Sequence, residues 1–395
     1  MLKHVQKILL VFILSISLIE IYSQSEQSSL MNTLTQFNDK GLHFITIGKF
    51  DSAEYYYNKT LQIKETRFGT KSLRAAYTHV NLASIYRKLY NFNKALYHLN
   101  IAEEIILKEY PNSKFLGYVY HNKGNIYYMF DDLNETLRYY EFAMNHIRNA
   151  SNSKIEDIIK GTRNYFLLLT EIGDDKRAHE ILRFLENKSV DPNPKSSVSY
   201  HIFMAKAYHL LDEQQKALKE CMISKEIVSK HDFEDELLLI NNINQTLAEI
   251  YLVKKEYLKA RKVLHDNIDI YLHQDYISIN KKLNTYLLLS TIDYELGNYQ
   301  TSISTINTAL EVFNDFLEKR NLLDNKNIAK NYSSNYTKFF VLKSRALNAQ
   351  YNNSSKNIED LYQAMETYDY SIDLLNTSKL KMVNEESKFL AVEDH

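Results

Sequence analysis

Leu82–Ala102 reads LASIYRKLYNFNKALYHLNIA, and its reading decides the fold. Ala83, Ala95 and Ala102 stand where two short helices bent back on each other must touch. Tyr86, Tyr90 and Phe92 stand where the crossing leaves a gap to fill. Interiors pack as densely as organic crystals, so a large side chain at Ala83 or Ala95 would force the helices apart. The stretch therefore describes a helical hairpin with small residues at the crossing and rings around it.

Working outward from Ala95, the arrangement recurs along most of the chain. A first copy holds Gly41, Phe44, Gly48, Phe50, Ala53 and Tyr57, and a third holds Gly124, Tyr127, Thr136, Tyr140 and Ala143. The fourth is degenerate, with Leu169, Gly173, Ala178 and Leu182. The fifth has Ala205, Tyr208, Ala217 and Cys221, and the sixth Ala248, Tyr251, Tyr257, Ala260 and Leu264. The seventh has Ser290, Gly297, Tyr299, Ser302, Ile306 and Ala309. The anchor residue falls at 53, 95, 136, 178, 217, 260 and 302, a period of 39 to 43 residues. A period this regular is the mark of a repeat architecture. A looser eighth copy, with Ala364, Tyr368 and Ser371, follows a polar stretch at Asn321–Asn335 and a loop at Asn352–Asn357. The glycines support the register: Gly41 and Gly124 share the small position, while Gly48, Gly173 and Gly297 share the turn, where positive φ is often needed. Gly69, Gly117 and Gly161 fall near inter-repeat connections or helix starts.

Composition agrees. With 8 Gly and 3 Pro in 395 residues, the chain lacks the breakers that a strand-rich fold needs at its turns. A net charge of -1 gives no reason to expect nucleic acid or an anionic membrane as a partner.

These residues resemble the tetratricopeptide repeat: small at its position 8, Tyr at 11, Gly at 15, Tyr or Phe at 17, Ala at 20, Phe or Tyr at 24 and Ala at 27. The resemblance covers residues 33–377. The long period, with the connection Thr66–Ala76, is similar to the long-helix variant of kinesin light chains and bacterial scaffold proteins. It implies an all-α, right-handed α-solenoid of about seven to eight helix-turn-helix repeats. In such a solenoid the first helix of each pair lines a concave groove, positions 8 and 20 meet at the crossing, and position 24 packs on the next repeat.

The outward positions of the first helices are Asn81, Ser84, Arg87 and Lys88 in copy two, and His121, Asn122, Asn125 and Tyr128 in copy three. Copy six offers Asn242 and Gln245, with Glu249 and Leu252. Asn81 and Asn122 share one repeat position, where the resemblance implies an Asn that holds a peptide backbone; an amide offers donor and acceptor at one point. The alternative is an abundant residue on a solvated face. Among the tyrosines, Tyr57, Tyr127 and Tyr140 are expected in the core, which leaves Tyr56 and Tyr128 as candidate handles for a ligand.

Chemistry finds little purchase. Cys221 sits at an interior repeat position, so an inert thiol is expected, and as the one cysteine it forms no intramolecular disulfide. His179-Glu180 lacks the second His of a zinc-protease helix. Asp131-Asp132 and Asp174-Asp175 mark turns and lack calcium-loop spacing. There is no Gly-rich phosphate loop. The expectation is no enzyme, no metal and no small-molecule cofactor, with a protein or peptide as partner.

The termini carry two further expectations. Lys3 and Lys7 precede the apolar run Ile8–Ile19, which suits a signal peptide at 1–23 cleaved after Ser23, followed by a short linker at 24–32. The protein is then exported, periplasmic or secreted; uncleaved, the segment is a membrane anchor. At the other end, Asp360–Leu375 leading into Glu386, Ser387, Lys388 and Leu390 resembles the junction ahead of a caspase-like CHAT peptidase domain in bacterial proteins. Residues 378–395 read either as that lead-in or as a capping helix. Two functions follow: an exported scaffold that binds a peptide in its groove, or the sensing arm of a larger CHAT-type peptidase or periplasmic signalling protein.

Overall fold

The computed structural model describes residues 26–45, 49–89, 91–150, 153–188, 193–233, 235–273, 278–318 and 328–393. Residues 1–25, which hold the expected signal segment, lie outside them, as do Gly48 and Tyr90. All described elements are helices. The first, α1, spans residues 26–45 and so begins inside the stretch expected as a linker. Then follow α2 (Phe50–Phe68), α3 (Leu73–Lys88), α4 (Phe92–Glu109), α5 (Lys114–Met129), α6 (Leu133–Asn149), α7 (Ile155–Glu171) and α8 (Asp175–Glu186). The rest are α9 (Pro194–Leu210), α10 (Gln214–Lys230), α11 (Glu236–Val253), α12 (Tyr257–His273), α13 (Ile279–Glu295), α14 (Tyr299–Glu318), α15 (Ile328–Gln350) and α16 (Ile358–Glu393). A π-turn at Tyr351–Ser355 joins the last two, and α15 takes in the second half of the polar stretch.

The helices pair into hairpins along two compact units, Met1–Pro111 and Asn112–His395. The first unit holds α1–α2 and α3–α4. In the second, α5–α6 through α15–α16 form six further pairs. The chain is thus the all-α tetratricopeptide-like solenoid expected of it.

The anchors explain the pairing. Ala53, Ala95, Thr136, Ala178, Ala217, Ala260 and Ser302 are all fully buried. In copy seven the crossing is visible as a bond: Ser302 Oγ donates to the Ser290 carbonyl at 2.8 Å, so positions 8 and 20 do meet. Copy four is degenerate because Phe166, buried, occupies the place of the small residue, and its second helix, α8, is only 12 residues long. The turn is equally regular. Asp131, Gly173, Asp212, Lys255 and Gly297 occupy one repeat position, and their φ values are 63°, 74°, 61°, 57° and 79°. Gly117 and Gly161, expected near connections or helix starts, lie in the first two turns of α5 and α7 and serve packing there. A Cβ on Gly117 or on Gly161 would meet the Ile147 side chain at 2.3 and 2.2 Å, so both make room for that one residue of α6.

Candidate binding face

In the first unit, Asn81, Ser84, Arg87 and Lys88 lie half-buried on α3. The Lys88 ammonium sits 5.7 Å from the centre of the Phe50 ring, and burial together with the Arg87 charge lowers its pKa. Behind this face Tyr86 donates to Glu54 at 2.6 Å and stacks on His98, with ring centres 5.3 Å apart. His79, buried, meets His98 through their Nδ1 atoms at 2.8 Å, and burial pushes its pKa down to about 4. Tyr56 is no free handle: it is half-buried, stacked on Phe44 at 5.5 Å and packed against Phe37. The neighbouring Tyr55 is the exposed ring of that trio, because successive helix residues turn to different sides.

In the second unit, the first helices of copies three, four and six carry amides that bond to a neighbouring first helix. Asn125 on α5 accepts from Tyr140 Oη at 2.8 Å and from Asn164 Nδ2 on α7 at 2.7 Å. His121 lies 3.4 Å from the Asn125 amide and stacks on Tyr140. Asn122 turns back to its own helix and donates to the Tyr118 carbonyl at 2.9 Å. Tyr128 is half-exposed and donates to Glu171 at 3.1 Å. Three repeats on, Gln245 on α11 donates to the Lys281 carbonyl at 2.9 Å and to Thr285 Oγ1 at 3.2 Å. Asn242 accepts from Lys281 Nζ at 2.5 Å. Asn125, Asn242 and Gln245 therefore tie first helices together.

Three residues of this face were absent from the sequence reading: Arg163, Asn164 and Lys281. Asn164 continues Asn81 and Asn122 by one more period, a signal hidden by the degeneracy of copy four. Arg163 and Lys281 have no sequence signal, since neither shares the repeat position of another cation on the face. Burial, and then the Arg163 charge, lowers Lys281 to about 8. Arg163 is itself exposed on α7, yet enough protein surrounds it to lower its pKa. Among the described residues neither cation has a carboxylate partner within ion-pair distance, and none of His, Cys, Asp and Glu cluster in threes as a metal site would need. Cys221 is buried, and burial pushes its thiol up to about 12, outside nucleophilic range.

No family model matches the sequence, and no curated protein matches it either. Solved structures do. The apo quorum sensor NprR from B. thuringiensis is similar at 16% identity over 88% of this chain and 99% of its own, with a TM-score of 0.44. NprR in complex with its cognate peptide NprX is similar at 15% identity over 88% and 90%, with a TM-score of 0.47. A tetratricopeptide repeat protein from Parabacteroides merdae is similar at 12% identity over 88% and 99%, with a TM-score of 0.36. The repeats of this chain, by their buried anchors and recurring turn, are tetratricopeptide-like helical hairpins.

Proposed function

We propose that this protein is an exported, non-enzymatic scaffold that holds an extended peptide or protein segment against the first-helix face of its repeats. The observation that carries the reading is the presence, on first helices of the second unit, of amides together with cations that have no carboxylate partner among the described residues. Asn125, Asn164, Asn242 and Gln245 suit a peptide backbone, which needs donors and acceptors at regular intervals. Arg163 and Lys281, cations of first helices with no carboxylate within ion-pair distance among the described residues, suit an acidic group on that peptide. Asn81, Ser84, Arg87 and Lys88 form the corresponding candidate face of the first unit.

Panning a random peptide library against the purified protein tests this, with calorimetry on the selected peptides. The expected result is acidic peptides whose affinity falls at least tenfold in the Arg163→Ala, Lys281→Ala double variant while helicity is kept. Failure to select any peptide, or unchanged affinity in the double variant, removes the proposal. Export rests on Lys3, Lys7 and the apolar run Ile8–Ile19, and N-terminal sequencing of exported protein checks cleavage after Ser23. The second reading, a sensing arm of a CHAT-type peptidase or periplasmic signalling protein, draws on α16, which runs unbroken from Ile358 to Glu393 through both halves of the junction motif. Sequencing beyond His395 separates the two: an α/β segment with a His and a Cys favours the second.

A further inference from the structure

The residue nine before each anchor is Phe44, Tyr86, Tyr127, Leu169, Tyr208 and Tyr251 in copies one to six, and Asp293 in copy seven. In six copies a ring or a large aliphatic chain stands at this position, and Tyr86 and Tyr208 reach from it to the preceding repeat. In the seventh there is a carboxylate, and a notch of about 180 Å³ opens beside it, lined in part by Arg261, His265, Asp293, Thr301 and Thr305.

The surroundings of Tyr86 show what this notch is. That ring is held by Glu54, which accepts its hydroxyl hydrogen at 2.6 Å, by Asn58, a second hydrogen-bond partner, by the Lys94 ammonium 5.0 Å from its centre, and by the stacked His98. Shifted to copies six and seven, those four repeat positions are Arg261, His265, Thr301 and Thr305. All four line the notch. It is therefore a vacated tyrosine site. Thr301 matters as much as Asp293, because Lys94, Lys216 and Lys259 at its repeat position lie 5.0, 5.1 and 5.7 Å from the centres of the Tyr86, Tyr208 and Tyr251 rings. A threonine cannot reach that far, so the mouth stays open.

The floor of the notch is short of partners. Asp293 is 2% exposed, and its Oδ1 has no hydrogen-bond partner. The nearest charge, Arg261 Nη2, lies at 3.6 Å, beyond hydrogen-bond range, and Arg261 Nε is also buried and unbonded. A buried acceptor left without a donor is destabilising, so the site favours an occupant that donates. Arg261 beside the carboxylate disfavours a cationic donor. Ile268, Tyr286 and Leu289 supply apolar wall for a ring. An apolar cavity of about 150 Å³ already holds a benzene.

We propose that this notch binds a phenol ring, the tyrosine side chain of a polypeptide ligand, with its hydroxyl donating to Asp293. The described residues themselves display the bond, in Tyr86 to Glu54 at 2.6 Å, Tyr208 to Glu186 at 2.5 Å, Tyr118 to Asp157 at 2.5 Å and Tyr128 to Glu171 at 3.1 Å. None of the first-helix amides lines the notch, so the proposal stands or falls apart from the groove.

The test uses the full chain and N-acetyltyrosinamide, followed by ligand-observed NMR, with N-acetylphenylalaninamide, argininamide and phenol as comparison arms. Expected is saturable binding of the tyrosine probe, at least tenfold weaker for the phenylalanine and arginine probes. Asp293→Tyr, which restores the missing ring, should abolish binding and raise the melting temperature. Thr301→Lys, a surface change that tolerates any misfolding of the first variant, should weaken binding by closing the mouth. Equal binding of the phenylalanine probe, tyrosine binding that survives both variants, or binding of phenol alone each overturns the proposal.

Discussion

Gly124 and Tyr140 act as one packing unit. A Cβ added to Gly124 would lie 2.5 Å from a carbon of the Tyr140 ring, and one added to Gly41 would lie 2.7 Å from the Tyr57 ring. Copies with Ala or Ser at the first place carry Leu99, Cys221, Leu264 or Ile306 at the second. Size is therefore traded between positions 8 and 24 of a repeat, in addition to the contact at position 20. Gly124→Ala should destabilise by about 1–3 kcal/mol, as overpacking does. Adding Tyr140→Leu should recover at least half of that, even though it forfeits the bond from Tyr140 to Asn125. Urea unfolding of the two single variants and the double gives the coupling; additive losses would show that the two positions are independent.

At the scale of the element, the turn is set by backbone geometry more strongly than by residue type. In each of five copies the amide after the left-handed residue bonds the carbonyl five positions back, for example Asp174 to Leu169 at 2.8 Å and Glu256 to Tyr251 at 2.8 Å. This is the Schellman closure of a helix end, and it requires positive φ at the residue before. Asp131 and Asp212 tolerate that region better than most side chains, and Gly173 and Gly297 enter it freely. Lys255, at φ 57°, has neither advantage. Lys255→Gly should therefore stabilise the protein by about 1 kcal/mol, read as a higher melting temperature. A lower melting temperature would mean that the lysine side chain holds the turn in some other way. Asn91, Asp132 and Asp174 follow the turn and cap the next helix, accepting from Lys94, Glu135 and Arg177 amides at 3.0–3.1 Å.

For the molecule as a whole, acid should act unevenly. His79 is buried against His98, and its pKa of about 4 lies below the ordinary imidazole value because burial and the His98 charge oppose protonation. The unfolded chain takes up this proton near pH 6.5 and the folded chain only near 4. The stabilisation is thus complete above about pH 6.5 and is lost as pH falls toward 4, on the order of 2 kcal/mol of it between pH 7 and 5. Glu65, 3.8 Å from His79 Nε2, does not reverse this. Because a repeat chain is stabilised locally and by its nearest neighbours, the loss should concentrate in α3 and α4. Hydrogen exchange at pH 5 and 7, corrected for intrinsic rates, should show protection falling there more than in α9–α12. Uniform loss would place the acid-sensitive group elsewhere. His79→Gln should flatten the difference.

The sequence by itself determined the repeat, its period and its anchors, because a residue at a helix crossing has room for almost no side chain and the constraint returns every turn of the solenoid. It also placed the turns, where Gly173 and Gly297 announce positive φ. It placed Asn125 and Gln245 on first helices, but not the bonds that join them to Asn164 and Thr285, since those depend on how neighbouring repeats slide past each other. Only tertiary structure left Arg163 and Lys281 without carboxylate partners among the described residues, and only it turned Tyr56 inward and Tyr55 outward. Asp293 stands where the other copies carry a ring or Leu169. That the vacancy stays open, with Arg261 and Thr301 at its edge, followed from packing between two repeats, which no single period of the sequence contains.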